Sequence, residues 1–368
     1  MNDTDYMNLA LELARRGMGW TSPNPMVGAV LVKDGAIIGQ GWHTRYGELH
    51  AEREALKACT QSPAGASLYV TLEPCCHQGR QPPCTQAILE AGITRVVVGS
   101  DDPNPLVAGK GLNILREHGI EVVTGVCKEA CDALNQVFFH FITTRRPYVV
   151  LKYAMTMDGK IATRTGASQW ITGEAARRRV HEDRHRCRAI MAGVGTVLAD
   201  DPLLTCRMEG GRNPIRVICD TQLRTPMDSQ IVRTAKEVPT ILATACPDET
   251  RRAAYESAGC RVWVLPEKNG YVDLAALMDR LGAESIDSVL LEGGGTLNWS
   301  ALEQGLVQKV QAYIAPKLFG GGAAKSPVEG LGVETPAQAV HLKNTTITPL
   351  GEDFLLEGEV EYHVYRNR

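Results

Sequence analysis

The chain lacks a surplus of either charge. Its 39 Lys and Arg against 42 Asp and Glu leave a formal net charge of −3, without the basic excess that a nucleic-acid footprint needs. No apolar run approaches the roughly 20 residues of a membrane span. The opening residues Met1-Asn2-Asp3-Thr4-Asp5 are polar and acidic, unlike the start of a signal peptide. Internal repeats and low-complexity tracts are absent. The 11 cysteines are odd in number and scattered, which fits reduced thiols in a cytoplasm better than a disulfide framework. These absences leave a cytoplasmic protein that binds neither nucleic acid nor membrane.

What is present is enough for two full cores: 368 residues, 44% hydrophobic and 22% charged. Residues 4–16 read as an amphipathic helix closed by Gly17. Two β-rich runs, 26–32 and 36–41, flank Lys33-Asp34-Gly35 and read as a hairpin. A helix over 50–59, a strand over 68–72, a helix over 85–91, a strand over 95–100, a helix over 111–118 and a strand over 121–126 follow. This alternation predicts an α/β sandwich. The basic, Pro-ended stretch Thr143-Thr144-Arg145-Arg146-Pro147 marks a boundary, giving domains 1–145 and 146–368. Beyond it, buried strands are predicted at 148–154, 189–193, 215–219, 240–243, 261–265 and 288–291. The helices between them are predicted over 174–186, 249–258 and 274–281, and the two halves share no motif.

The first half carries His50-Ala51-Glu52, then Pro74-Cys75, then Cys84. One His and two Cys supply three ligands for Zn²⁺, which prefers tetrahedral N/S coordination and in catalytic sites keeps one position for water. Zinc lowers the pKa of water towards neutrality. Glu52, one turn from His50, can accept the water proton and return it to the departing amine, work that a Glu ligating zinc could not do. That is the build of a zinc deaminase. Its general signature is Pro-Cys-x-x-Cys, whereas eight residues separate Cys75 from Cys84 here, and Cys76 is an alternative ligand. A closed structural zinc site is the competing reading, which the three-ligand count and Glu52 oppose.

The insert Cys76-His77-Gln78-Gly79-Arg80-Gln81-Pro82-Pro83 belongs with Asn24-Pro25-Met26-Val27-Gly28, Thr71-Leu72-Glu73-Pro74-Cys75 and Asp102-Pro103-Asn104-Pro105. Together they closely resemble the bifunctional riboflavin-biosynthesis deaminase–reductases. The resemblance continues through 152–160, Trp170-Ile171-Thr172, 193–201 and Glu292-Gly293-Gly294-Gly295, and so spans nearly the whole chain. It implies a cytidine-deaminase-like α/β/α sandwich followed by a dihydrofolate-reductase-like α/β domain. The implied first substrate is 2,5-diamino-6-(5-phosphoribosylamino)pyrimidin-4-one. Asn24, His43, Asp102 and Asn104 would line its base and ribose pocket, using donors and acceptors that read ring edges and hydroxyls. Arg80 would meet the phosphate, as a guanidinium pairs well with phosphate oxygens.

In the second half, Glu292-Gly293-Gly294-Gly295-Thr296 follows an apolar strand and precedes a helical run, 297–304. Glycines there let backbone N–H groups approach a phosphate, although this is not the G-x-G-x-x-G fingerprint. The resemblance implies NADPH, held by Gly294, Gly295 and Thr296 with Ala154, Trp170, Thr196, Asp200 and Thr221 nearby. It assigns Lys152, Ser168, Arg184, Leu204, Arg207 and Glu292 to the ribosyl phosphate. The implied chemistry is hydride transfer to C1′ of a ring-opened ribose, with Asp200 and Lys152 managing proton and charge. It also implies a homo-oligomer, dimer or tetramer, joined through the reductase halves.

His181-Glu182-Asp183-Arg184-His185 matches the H-E-x-x-H metalloprotease motif. It lies among Arg177, Arg178, Arg179, Arg186 and Arg188 with no third ligand motif after it. The expectation is a solvated helix face from which Arg184 alone serves as an anion anchor.

Overall fold

The structure, a computed structural model, describes residues 1–79 and 81–362. The chain divides into two compact units, Met1–Arg145 and Arg146–Arg368.

The first unit holds strands β1 (Gly28–Lys33), β2 (Ala36–Trp42), β3 (Ser67–Leu72), β4 (Arg95–Ser100) and β5 (Glu121–Thr124) in the order β2-β1-β3-β4-β5. β1 pairs antiparallel with β2 and β3, while β3, β4 and β5 run parallel. Helices are α1 (Asp3–Arg15), α2 (Ala51–Lys57), α3 (Cys84–Glu90), α4 (Lys110–Glu117), α5 (Lys128–Leu134) and α6 (Gln136–Thr144). Successive strand residues point to opposite faces. Leu31, Val70 and Val96 therefore join one core, with Ala51, Ala55, Ile88 and Leu115 from the helices. Val30, Tyr69 and Val97 join the other, with Met7, Leu11 and Cys131. Burial on both faces is why these strands are continuous apolar runs. A Cβ at Gly41 would stand 2.3 Å from the backbone N of Ala55. That glycine lets α2, and with it His50 and Glu52, lie close against the sheet.

The second unit adds β6 (Tyr148–Thr156), β7 (Ala189–Gly193), β8 (Ile215–Cys219), β9 (Thr240–Thr244), β10 (Arg261–Val264), β11 (Glu267–Lys268), β12 (Tyr271–Val272), β13 (Ser288–Leu291), β14 (Lys309–Ala315), β15 (His341–Leu350) and β16 (Asp353–Glu361). The main sheet runs β10-β9-β8-β7-β13-β6-β14-β16-β15. It is parallel from β10 to β14, and β16 and β15 close it antiparallel. Helices are α7 (Glu174–Arg186), α8 (Val194–Asp200), α9 (Gln230–Arg233), α10 (Glu249–Ser257), α11 (Leu274–Ala283) and α12 (Gly295–Glu303). Met191 and Val217 face one core, Ile190 and Ile218 the other.

The α/β class and the other parallel strands follow the sequence expectation, but the parallel strand β14 does not appear in it. The strands β11, β12, β15 and β16, and helices α5, α6, α8 and α9, are further additions. The run 121–126 ends as strand at Thr124, where Gly125 turns with φ +83°. Almost every β15 residue is exposed, so that strand carries no apolar alternation to read. Among the described residues, no helix is long and apolar enough to cross a membrane.

Candidate active sites

In the first unit, His50 is the extended N-cap of α2, Cys84 opens α3, and Cys75 follows the end of β3. The His50 Nδ1 lies 3.4 Å from the sulfur of Cys75 and 3.4 Å from that of Cys84. Zinc bonds of about 2.3 Å to sulfur and 2.0–2.1 Å to nitrogen, set at a tetrahedral angle, would put these atoms about 3.6 Å apart. The three residues therefore fit a zinc ion, with Nδ1 as the histidine donor. They are the group among the described residues whose donor atoms converge for a metal. Cys76 does not join them; its thiol turns to the carbonyl of Leu106, 3.7 Å away. The Cys84 thiol first, and then the His50 ring, lower the pKa of the Cys75 thiol and favour its thiolate. Glu52 is buried on the first turn of α2. Burial first, then the Cys75 charge, raises its pKa, which suits a carboxylate that takes up a proton.

His43 fixes Asn24. Its Nδ1 lies 2.9 Å from the carbonyl of Leu49, so that nitrogen carries the hydrogen. Nε2 then accepts from the Asn24 amide at 3.2 Å, which leaves the Asn24 Oδ1 to face elsewhere. Burial lowers the His43 pKa, consistent with this neutral ring.

Asp102 and Asn104 sit on the loop between β4 and α4. Asp102 Oδ1 accepts the N–H of Asn104 at 2.8 Å, and Asn104 Oδ1 accepts that of Leu106 at 3.1 Å. Each side chain thus spends one oxygen shaping its own loop. Burial raises the pKa of Asp102 to about 6, with Glu73 and Cys75 adding to it. Buried Glu73 accepts backbone N–H groups of Gly109 (3.0 Å), Gly111 (3.1 Å) and Leu112 (3.3 Å). This residue, two before Cys75, ties the loop to the metal ligand, a role that sequence reasoning missed. Its only signal was a charged residue between an apolar strand and Pro-Cys. Arg80 lies outside the described residues. Arg53, beside Glu52, anchors the far end of the insert by donating to the carbonyls of Pro82 (3.3 Å) and Pro83 (2.9 Å).

In the second unit, the residues singled out by sequence gather at the carboxyl ends of parallel strands, where open α/β sheets bind ligands. Thr196 and Asp200 lie on α8 after β7, Thr221 follows β8, and Glu292 to Thr296 follow β13, with Lys152 and Ala154 on β6. Glu292 takes two donors from Arg184, Nε at 2.8 Å and Nη2 at 3.0 Å, and the Lys152 ammonium at 3.2 Å. Burial works to raise the Glu292 pKa, yet Arg184 and Lys152 hold it well below the usual carboxylate range. Ser168 donates to Asp200 at 3.0 Å. Trp170 is 57% exposed, with the Arg177 guanidinium 4.9 Å from its ring centre. Gly294 caps α12 in extended conformation, and a Cβ there would meet nothing within 4 Å, whereas at Gly295 a Cβ would stand 2.4 Å from the Glu329 side chain. Thr221 Oγ1 is engaged by the N–H of Val272. Leu204 has its side chain buried in the core beneath the loop, so contact with a ligand falls to its backbone, held at φ +49°.

The H-E-x-x-H run corrects the sequence expectation. One side of α7 is packed rather than solvated. His181 Nδ1 accepts the N–H of Arg207 at 3.3 Å, and buried His185 Nδ1 accepts that of Arg212 at 2.9 Å. Arg184 Nη1 donates to the carbonyl of Thr205 at 3.0 Å. Residues i, i+3 and i+4 share a helix face, and this face grips the 203–213 loop.

Comparison with known proteins accounts for both units. Residues 1–100 match the cytidine and deoxycytidylate deaminase zinc-binding region, and residues 147–356 match the RibD C-terminal domain. Riboflavin biosynthesis protein RibD of Actinobacillus pleuropneumoniae is 54% identical over 97% of this chain and 95% of its own length. That of Escherichia coli is 42% identical over 97% of this chain and 99% of its own. A solved structure of Acinetobacter baumannii RibD superposes with a TM-score of 0.87 at 37% identity, covering 98% and 99% of the two chains. A Thermotoga maritima diaminohydroxyphosphoribosylaminopyrimidine deaminase/5-amino-6-(5-phosphoribosylamino)uracil reductase superposes at 0.84, also at 37% identity, covering 98% and 99%.

Proposed function

The chain belongs to the RibD family of bifunctional riboflavin-biosynthesis enzymes, and from that premise we propose which residues carry its deaminase and reductase activities. The first unit deaminates 2,5-diamino-6-(5-phosphoribosylamino)pyrimidin-4-one. The second reduces the ribosyl chain of the resulting 5-amino-6-(5-phosphoribosylamino)uracil to a ribitylamino chain, with NADPH. The observation that carries the reading is the convergence of His50, Cys75 and Cys84 on one point beside buried Glu52.

A zinc ion held by those three residues would supply a nucleophile from water at neutral pH. Glu52 takes the proton that water gives up and returns it to the amine nitrogen as the C–N bond breaks, so that water and the ring amine become a ring carbonyl and ammonia. Asn24, oriented by His43, presents its Oδ1 to the ring amine. Asp102 and Asn104, on the loop that Glu73 holds, read the ribose side of the substrate, and Arg80 meets the phosphate.

In the second unit NADPH supplies the hydride. Gly294, Gly295 and Thr296 at the start of α12 take its phosphate, with Ala154, Trp170, Thr196, Asp200 and Thr221 alongside. Lys152, Ser168, Arg184, Leu204, Arg207 and Glu292 hold the substrate's ribosyl phosphate. The Lys152 ammonium spends one donor on Glu292 and directs the others at substrate oxygens. The protein works in the cytoplasm, and its reductase units join chains into a dimer or tetramer.

The test supplies the diamino substrate with and without NADPH and follows ammonia, cofactor absorbance and product mass together. Ammonia release without NADPH, then reduction once it is added, is the expected result. Cytidine turnover with no NADPH consumption would overturn the substrate assignment.

A further inference from the structure

Four side chains reach into the 203–213 loop, which the proposed function charges with substrate binding through Leu204 and Arg207. Arg216, fully buried on β8, donates to the carbonyl of Leu203 at 3.2 Å. Arg184 and His185 hold Thr205 and Arg212. His181 is the one that touches Arg207, and it does so twice. Its Nδ1 lies 3.3 Å from the Arg207 backbone N, and its Nε2 lies 3.3 Å from the Arg207 Nε.

Both Arg207 atoms are donors, and a neutral imidazole has one lone-pair nitrogen to offer. The backbone N–H is fixed by the chain and cannot turn away. The guanidinium is on an exposed residue and can turn to water or to an anion. Nδ1 therefore takes the backbone N–H and Nε2 keeps its hydrogen. A hydrogen on Nε2 faces the guanidinium donor to donor, so His181 fixes the root of Arg207 and leaves its head free. The Cys206 thiol donates to the His181 carbonyl at 3.3 Å, a second tie between the same two segments.

We propose that His181 is a positioning residue for reduction: by accepting the backbone N–H of Arg207 it sets the point from which the Arg207 guanidinium reaches the substrate's phosphate. This rests on the reading of Arg207 as a phosphate contact. The groups facing the ring are Arg184 on α7, Arg207 on the loop, Lys152 on β6 and Glu292 after β13. Burial first, then Arg184 and Arg207, lower the His181 pKa to about 4. The ring is accordingly neutral at pH 7, with its lone pair available.

Two substitutions separate the ring's atoms. Asn places an acceptor where Nδ1 stands, and Gln places a polar group where Nε2 stands. In steady-state reduction of the deaminated substrate, His181→Gln should raise KM about tenfold, the scale of one lost hydrogen bond, with kcat within about twofold. His181→Asn should restore KM, and hydrogen exchange at the Arg207 amide should quicken in the Gln variant alone. Chemical unfolding of the reductase unit, together with the retained kcat, monitors its folding. In a double variant, His181→Gln should add nothing to the KM of Arg207→Ala. An unchanged KM in both His181 variants overturns the proposal, as do equal rises in both, a rise in Asn alone, or additivity with Arg207→Ala. If Arg207→Ala by itself leaves KM unchanged, the phosphate reading of Arg207 falls, and the inference with it.

Discussion

Arg184 sets two of its donors on the two carboxylate oxygens of Glu292, at 2.8 and 3.0 Å, and Lys152 shares one of those oxygens. Two cations against one carboxylate leave net positive charge at the carboxyl end of β13. A buried pair of this kind adds little to stability over apolar packing, but removing one partner costs much. Under the proposed function, that surplus positive charge would attract the phosphorylated substrate.

Replacing Glu292 with Gln leaves Arg184 and Lys152 facing each other without a counter-charge. The reductase unit should lose about 3 kcal/mol of stability and its activity, while ammonia release continues. Chemical unfolding and the two assays check this together. The pH sign follows from the lowered folded pKa. The stabilisation is complete above the unfolded value of 4.5 and is lost as pH falls through the folded one. The Gln variant should therefore lose stability less steeply below pH 4.5 than the wild type does.

His181 works in the same direction, over a higher pH window. Its folded pKa of about 4 lies below the ordinary 6.5, so between those values the unfolded chain binds a proton that the native ring refuses. Stability should fall as pH drops from 6.5 towards 4. The His181→Asn variant, which keeps an acceptor but cannot titrate, should show a flatter unfolding profile across that window. An unchanged slope would mean that the ring is not held neutral.

Glu73 governs the deaminase in a comparable way. Its carboxylate satisfies N–H groups on both sides of the start of α4, and Gln would turn an N–H of its own towards them. Glu73→Gln should cost about 1–3 kcal/mol of stability and raise the deamination KM about tenfold, through Asp102 and Asn104, without loss of zinc. Metal analysis beside steady-state kinetics separates loop positioning from damage at Cys75.

These clamps explain where the sequence was silent. His50, Glu52, Cys75 and Cys84 were legible because metal chemistry restricts residue type and places the ligands at element starts. The strands β3, β4, β7, β8 and β13 were legible because burial on both faces demands unbroken apolar runs. Glu73 and Gly109 stand 36 residues apart, and a side chain on a backbone amide imposes no residue type on its partner. His181 matched a metal motif for the same reason. Helical spacing that would present two His residues to zinc also presents them to two amides of a loop, and the partner is chosen by packing. Strand β15 was hidden because a solvated edge has no core to pattern it.

The separation of proton transfer from metal binding can be tested on Glu52 itself. Its carboxylate is not among the converging donor atoms of His50, Cys75 and Cys84, so Glu52→Gln should retain the ion. The amide cannot carry a proton from water to the leaving amine, and ammonia release should fall by about 10²–10⁴-fold. Cys84→Ala should instead lose the ion along with deamination, because two ligands hold zinc far less well than three. Both variants should still oxidise NADPH when given the deaminated substrate, since no residue of the reductase site is changed. Zinc content by metal analysis, ammonia release and cofactor absorbance on the same preparations distinguish the cases. A Glu52→Gln protein that has lost its zinc would make Glu52 a structural support of the metal and return the proton-transfer role to another group.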